Sequence, residues 1–217
     1  MYNCVGGNMR LRNVKNAKDI INKSNYNLVN FMDYKGCFNK LFNNDNPIHI
    51  EIGMGKGDFI IGMALNNPDI NFIGIEKFDS VLVRAIQKLE NYDIPNLKVI
   101  RIDALDIDDV FFNEIDCIYL NFSDPWPKER HARRRLTSDL FLAKYDSLFK
   151  DCCRIVMKTD NRKLFEYSVI SFTNYGYSID DLSLDLYNDD LSGNVQTEYE
   201  KKFVSNGSII YRICVHK

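Results

Sequence analysis

The chain has 217 residues, 45% of them hydrophobic and 12% aromatic, which suits one folded α/β domain with a full core and excludes a disordered chain. A net charge of −2 argues against a polyanion held by bulk positive charge, so any nucleic-acid contact has to be local. No run approaches the roughly 20 apolar residues of a membrane span, and residues 1–12 lack the apolar core of a secretory signal, so a cytoplasmic protein without membrane contact is expected.

Residues 1–8 carry no pattern, and Met9 before Arg10-Leu11-Arg12 looks like an alternative start. Residues 1–47 are expected to form an arm made basic by Arg10, Arg12, Lys15 and Lys18, with a helix leading through Asn43-Asn44-Asp45-Asn46-Pro47 into a single globular domain over 48–217. From residue 48, short apolar runs alternate with amphipathic stretches, the pattern of a parallel sheet covered by helices on both faces. Strands are expected over 48–53, 71–76, 97–102, 117–121 and 154–158, and helices over 58–66, 80–91, 106–111, 138–149 and 162–174. Residues 177–186 and 208–216, with a turn-like Ser205-Asn206-Gly207 before the second run, predict an antiparallel pair at the sheet edge. The six cysteines form no Cys-x-x-Cys or Cys/His cluster, so reduced thiols and no metal site are expected.

The segment Glu51-Ile52-Gly53-Met54-Gly55-Lys56-Gly57-Asp58 lies at an expected strand-to-helix turn, where Gly53 and Gly55 let the backbone approach a ligand. A pyrophosphate cradle usually reads Gly-x-Gly-x-x-Gly, whereas this is Gly-x-Gly-x-Gly with an acid two residues earlier. Such a carboxylate suits S-adenosylmethionine, which carries sulfonium and ammonium cations and no phosphate. Glu76, after Gly74-Ile75, lies roughly 20 residues on, where a ribose-binding acid is expected. Asp103 and Ala104 follow the third strand and suit an adenine amine and ring edge. Singly, such acids are more often helix caps or solvated loop residues. Three at consecutive strand ends match the place where open parallel sheets bind ligands.

After the fourth strand, Asn121-Phe122-Ser123-Asp124-Pro125-Trp126-Pro127-Lys128 places two prolines around the only tryptophan, giving a stiff loop suited to an acceptor ring. Asp124 is expected to face the transferred group or the acceptor, and Lys128 to bind base or phosphate. The basic run Arg130-His131-Ala132-Arg133-Arg134-Arg135 extends from this loop, where its side chains can bind phosphates. Asp160, after Lys158-Thr159, can either cap the following helix or accept from a substrate base. Thr197-Glu198-Tyr199-Glu200 would alone be unremarkable surface.

Together, Glu51-Ile-Gly-Met-Gly-Lys-Gly, Gly74-Ile-Glu, Phe122-Ser-Asp-Pro-Trp-Pro-Lys, Arg130-His-Ala-Arg-Arg-Arg-Leu, Lys158-Thr-Asp-Asn and Thr197-Glu-Tyr-Glu resemble the tRNA (guanine-N7)-methyltransferase family from about Met9 to the C-terminus. The Trp/Pro loop joined to the Arg-rich run is the most specific element, since many methyltransferases share the glycine motif. The resemblance implies a Rossmann-like class I methyltransferase with a mostly parallel seven-stranded sheet and an antiparallel edge pair. It also implies S-adenosylmethionine bound by Glu51, Glu76, Asp103 and Asp124 and released as S-adenosylhomocysteine. Lys128, Asp160, Thr197, Glu198, Tyr199 and Glu200 then contact substrate, and Arg130, His131, Arg133, Arg134 and Arg135 contact tRNA near guanine 46. Glu129 departs from relatives that often carry a basic residue there.

Guanine N7 has a free lone pair, so no catalytic base is required, in keeping with only three histidines and no Ser/His/Asp set. Asp124 is the residue expected to be essential for turnover, and no obligatory protein partner is expected for a monomer or homodimer. A methyltransferase for an exocyclic base amine is the nearest alternative, although the second proline of its Asp-Pro-Pro-aromatic loop is missing. A non-catalytic RNA-binding module is a further alternative, which absent cofactor binding would favour.

Overall fold

The computed structural model describes residues 14–189 and 193–217. Arg10 and Arg12 of the expected arm lie outside the described residues, and Lys15 and Lys18 are exposed. Helices α1 (Ala17–Lys23) and α2 (Asn39–Phe42) precede β1 (Ile48–Ile52), α3 (Asp58–Asn66), β2 (Asn71–Ile75), α4 (Asp79–Leu89) and β3 (Leu97–Ile100). Then come a 3-10 turn over Ala104–Asp106, α5 (Ile107–Val110), β4 (Ile115–Asn121), a 3-10 segment over Glu129–Arg134 and α6 (Asp139–Tyr145). The chain continues through β5 (Phe149–Thr159), α7 (Arg162–Tyr175), β6 (Ser178–Ser183), α8 (Glu198–Ser205) and β7 (Tyr211–His216).

The strands form one sheet in the order β3-β2-β1-β4-β5-β7-β6. The first five are parallel, and β7 runs antiparallel to both β5 and β6. β2 is buried along its whole length because helices cover both faces of a parallel sheet, so it needs no polar alternation. Strand order reverses between β1 and β4, which opens a crevice beyond their carboxyl ends.

Two apolar clusters hold the layers together. One joins α5, α6 and α7 to the sheet through Phe111, Tyr145 and Phe172, and the other packs α1, α3 and α4 through Ile21, Ile60 and Leu82. Ile21 and Phe38 come from the expected arm yet belong to these clusters. Residues 26–28 also pair with the β3 edge, where Val99 N–H donates to the Tyr26 carbonyl at 2.9 Å.

The expected tail pair forms, with the mostly exposed β6 at the edge and Ile213, Cys214 and Val215 of β7 buried inside. Unlike a simple hairpin, the pair is interrupted by α8, whose C-terminal end is where Ser205-Asn206-Gly207 turns. The helix expected over 138–149 stops at Tyr145, and Phe149 already belongs to β5. Apolar periodicity alone does not distinguish the end of a buried helix from the start of a buried strand. No helix among the described residues is long and apolar enough to cross a membrane.

Candidate active site

The β1-to-α3 turn supplies the floor of the crevice. Gly53, Gly55 and Gly57 have φ of 78°, 59° and 82°, a left-handed backbone that costs an L side chain about 1–2 kcal/mol per residue. The Gly53 and Met54 N–H groups both donate to the Ile75 carbonyl at 2.9 Å, folding the loop onto β2. A Cβ at Gly53 or Gly55 would meet no atom within 4 Å, so this turn presents bare backbone to open space.

Glu76 locks the turn from the end of β2. Its Oε2 accepts from the Gly55 N–H at 3.1 Å and its Oε1 from the Phe78 N–H at 2.9 Å. Burial raises its pKa; these N–H bonds oppose the rise, and the nearby Asp124 charge adds to it. Asp103 caps the following 3-10 turn by accepting from Leu105 N–H at 3.2 Å and pairs with Lys77. Partial burial pushes its pKa up, but Lys77 and the Leu105 N–H outweigh that and lower it. Ala104 begins the turn, half-buried beside Asp103.

Glu51 is the buried acid. It is 1% exposed, and burial pushes its pKa up to about 8 against the opposing Asn121 bond and Lys158 charge. Asn121 Nδ2 donates to Oε1 at 2.9 Å, while Glu51 Oε2 and Asn121 Oδ1 have no partner. Unpaired buried acceptors are costly, and a cationic donor would satisfy both. The ammonium group of S-adenosylmethionine has that chemistry, and the bare glycine backbone beside it leaves room, so the residues fit this cofactor.

The loop after β4 forms the opposite wall. Phe122 and Trp126 hold φ of 52° and 42°, left-handed values that cost a non-glycine residue on the order of 1–3 kcal/mol each. These two residues bracket Asp124, whose side chain is exposed. Phe122 N–H donates to the Lys158 carbonyl at 2.8 Å, anchoring the first strained residue to β5. The second is anchored by Arg135, whose Nε and Nη2 donate to the carbonyls of Pro125 and Trp126, both at 3.1 Å.

The basic run therefore divides. Lys128, Arg130 and Arg133 are exposed and enter no ion pair among the described residues. Arg134 lies 4.9 Å from the Trp126 ring centre, and His131 meets the same ring edge-on at 5.8 Å. Arg135, expected to contact RNA, is 9% exposed and turns inward, because the bracketing carbonyls take its fork and the Tyr167 ring lies 4.2 Å away.

At the end of β5, the helix-cap alternative for Asp160 is settled by its neighbour. Asn161 caps α7 by accepting from Leu164 N–H at 2.9 Å, which leaves the Asp160 carboxylate outside that task. Burial raises the Asp160 pKa, and the Tyr199 hydroxyl partly offsets the rise. Tyr199 is 44% exposed, stacks on Phe203 at 4.0 Å and lies 5.2 Å from Phe122.

The other members of the Thr197–Glu200 segment have internal partners. Thr197 and Glu200 form a capping box that starts α8, with Glu200 N–H donating to Thr197 Oγ1 at 2.8 Å and Thr197 N–H to Glu200 Oε2 at 3.2 Å. Glu200 is fully buried and accepts from Lys158 Nζ at 2.7 Å, the Tyr187 hydroxyl at 2.8 Å and Asn194 Nδ2 at 2.8 Å. Its expected direct contact with substrate does not fit this enclosure, where a carboxylate with four donors organises the segment. Glu198 pairs with Lys56 of the glycine loop at 2.7 Å and with Lys88 at 3.5 Å.

Sequence reasoning missed Asn121 as the partner of Glu51, Lys158 as the partner of Glu200, and the Phe122–Tyr199 pair. The Thr-x-x-Glu spacing was the available signal for α8; nothing local announces the other contacts. A cavity of about 570 Å³ lies on the sheet face beneath Asn194 and Val195, reaching Asn121 and Lys158 but not Glu76 or Asp124.

A seven-stranded sheet with one antiparallel inner strand, and acids at the ends of β1 and β2 around a glycine turn, defines the class I methyltransferase fold. A solved structure described as an antibiotic-related methyltransferase shares it, with a TM-score of 0.66 at 19% identity over 84% of this chain and 93% of that one. Residues 45–213 match the family model described as "Putative methyltransferase". The chain is 50% identical over 207 residues to the tRNA (guanine-N(7)-)-methyltransferase of Bacillus licheniformis, covering 94% of this chain and 97% of the relative. It is 52% identical over 206 residues to that of Bacillus subtilis, with the same coverage. The chain belongs to the tRNA (guanine-N(7)-)-methyltransferase family.

Proposed function

We infer that this chain transfers a methyl group from S-adenosylmethionine to N7 of guanine 46 in the variable loop of tRNA. The observation that carries this reading is a short line of contacts from the cofactor acid to the acceptor acid. Glu51 joins Asn121, the next residue Phe122 packs near Tyr199, and Lys158, two residues before Asp160, is bonded to Glu200, the neighbour of Tyr199 on α8. In this reading donor and acceptor sites share one wall. Glu51, Gly53, Gly55, Glu76, Asp103, Ala104 and Asp124 hold the cofactor in this reading, and Asp160, Tyr199 and Lys128 the acceptor.

The cofactor supplies an electrophilic methyl group when bound. Guanine N7 already has an in-plane lone pair, so these residues need only align the atoms, an effect that can contribute roughly 7–11 kcal/mol. As the N–C bond forms and the methyl–sulfur bond breaks, leaving the neutral thioether S-adenosylhomocysteine, the positive charge would pass to the guanine ring, where Asp124 and Asp160 could accept from its N–H groups. Tyr199 and Phe122 offer aromatic faces on which the base can stack, each such stack being worth about 1–3 kcal/mol. The exposed Lys128, Arg130 and Arg133 meet phosphates and give binding that weakens with salt.

The test is transfer of labelled methyl from S-adenosylmethionine to unmodified tRNA carrying guanine or adenine at position 46, with nucleosides identified by mass spectrometry. Label on the guanine transcript alone, as N7-methylguanosine, is the expected result. Label on both transcripts overturns the position, a methylated exocyclic amine overturns the target atom, and label on neither overturns the enzymatic reading.

A further inference from the structure

We propose that Arg135 is a positioning residue that fixes the Asp124 loop in its left-handed turn and carries no RNA phosphate. The proposal rests on the reading of this chain as a tRNA methyltransferase and assigns one member of its basic run a separate task.

Three observations carry it. Arg135 is 9% exposed, whereas Arg130 and Arg133 of the same run are exposed. Two of its N–H groups reach successive carbonyls, those of Pro125 and Trp126, both at 3.1 Å. A rigid planar fork can bridge two adjacent acceptors, and a lysine ammonium is a point charge without that geometry. The Tyr167 ring, 4.2 Å away on α7, supports the guanidinium.

The clamp acts where the backbone most needs it. Trp126 holds φ of 42° two residues beyond Asp124, and Phe122, at φ of 52° two residues before it, is pinned by the Lys158 carbonyl at 2.8 Å. Strained backbone persists only where its surroundings over-determine it. The segment that carries Arg135 is itself fixed: its N–H donates to the Ala132 carbonyl at 3.0 Å, and Ser138 N–H donates to its carbonyl at 2.9 Å. Arg135 therefore transmits the fixed position of α6 and α7 to the carboxylate at the crevice, while its neighbours remain available to a polyanion.

The experiment compares Arg135→Lys with Arg133→Ala in the full chain, using methyl transfer, tRNA binding at several salt concentrations and emission of Trp126, the only tryptophan. Arg135→Lys should lower kcat on the order of 10²-fold, as a small misplacement of a reacting group does, with tRNA KM and the salt slope unchanged. Its Trp126 emission should shift in the tRNA-free protein, and added ethylguanidinium should restore turnover to Arg135→Ala. Arg133→Ala should raise KM and reduce the salt slope by about 1. Arg135→Lys behaving like Arg133→Ala, with unaltered Trp126 emission, overturns the proposal. If Arg135→Lys does not fold, Tyr167→Leu removes the support and keeps the fork; a lowered kcat supports the clamp, and unchanged kcat and emission overturn it. Should the unaltered protein methylate no tRNA, the functional reading fails, and Trp126 emission still decides the clamp.

Discussion

At the β1–β2 end of the crevice, Glu51, Gly53, Gly55 and Glu76 lie within one strand-helix-strand unit, and Glu76 is held by backbone N–H groups. At the β4–β5 end, Asp124 and Asp160 depend on side chains brought from further along the chain: Arg135, Tyr199 and the Lys158–Glu200 pair. The first end uses glycine conformations that cost little, whereas the second holds two non-glycine residues at positive φ. The difference teaches that, in the proposed reading, the glycine turn and Glu76 rest on local backbone geometry, whereas the Glu51–Asn121 bond and the acceptor end rest on long-range packing.

The sharpest break should come at the buried pair. Lys158→Met leaves the fully buried Glu200 without its cation, which should cost about 3–5 kcal/mol in urea unfolding. The double change Lys158→Met with Glu200→Leu should recover much of that loss while still disordering α8 relative to β5. A single change costing under about 1 kcal/mol would mean that solvent reaches the pair.

Asp124→Ala should lower turnover about 10²–10³-fold, the range for removing one preorganised charge-stabilising group, without altering urea unfolding. Unchanged turnover would remove the exposed carboxylate from the reaction and leave the strained loop unexplained.

Glu51 gives the cofactor end its own pH signature. Its pKa is raised to about 8 by burial, so the cofactor-free fold holds the proton. This group's stability contribution is complete below about pH 4.5 and is lost as pH rises through about 8. A cationic ligand needs the carboxylate, so binding at pH 7 should release a proton, and affinity should rise by up to about tenfold per pH unit below 8. Calorimetry of S-adenosylmethionine binding in buffers of different ionisation enthalpy measures that proton. Glu51→Gln should abolish the dependence, and a flat wild-type profile between pH 6 and 8 would show that Glu51 is already ionised.

The smallest effect belongs to the outer rim. Arg130→Ala should weaken tRNA binding a few-fold and lower the salt slope by about 1, with cofactor affinity unchanged. Loss of cofactor binding in this variant would show that the outer rim also supports the cofactor end.

The sequence alone determined the central parallel strands, the glycine turn and the acids Glu51, Glu76 and Asp103, because β-periodicity, glycine spacing and strand-end position are local signals. It also marked the Trp/Pro loop and the charged run after it. Only the tertiary structure decided which charges in that run face inward. Arg133 and Arg135 are the same residue type two positions apart, and their different exposure depends on Tyr167 and on carbonyls nine and ten residues upstream of Arg135. It likewise turned Glu200 from an acid in a surface-like tetrapeptide into the buried partner of Lys158, 42 residues away. A contact across such a separation leaves no periodic trace in the chain. Its energy comes from desolvated charges meeting in the folded core.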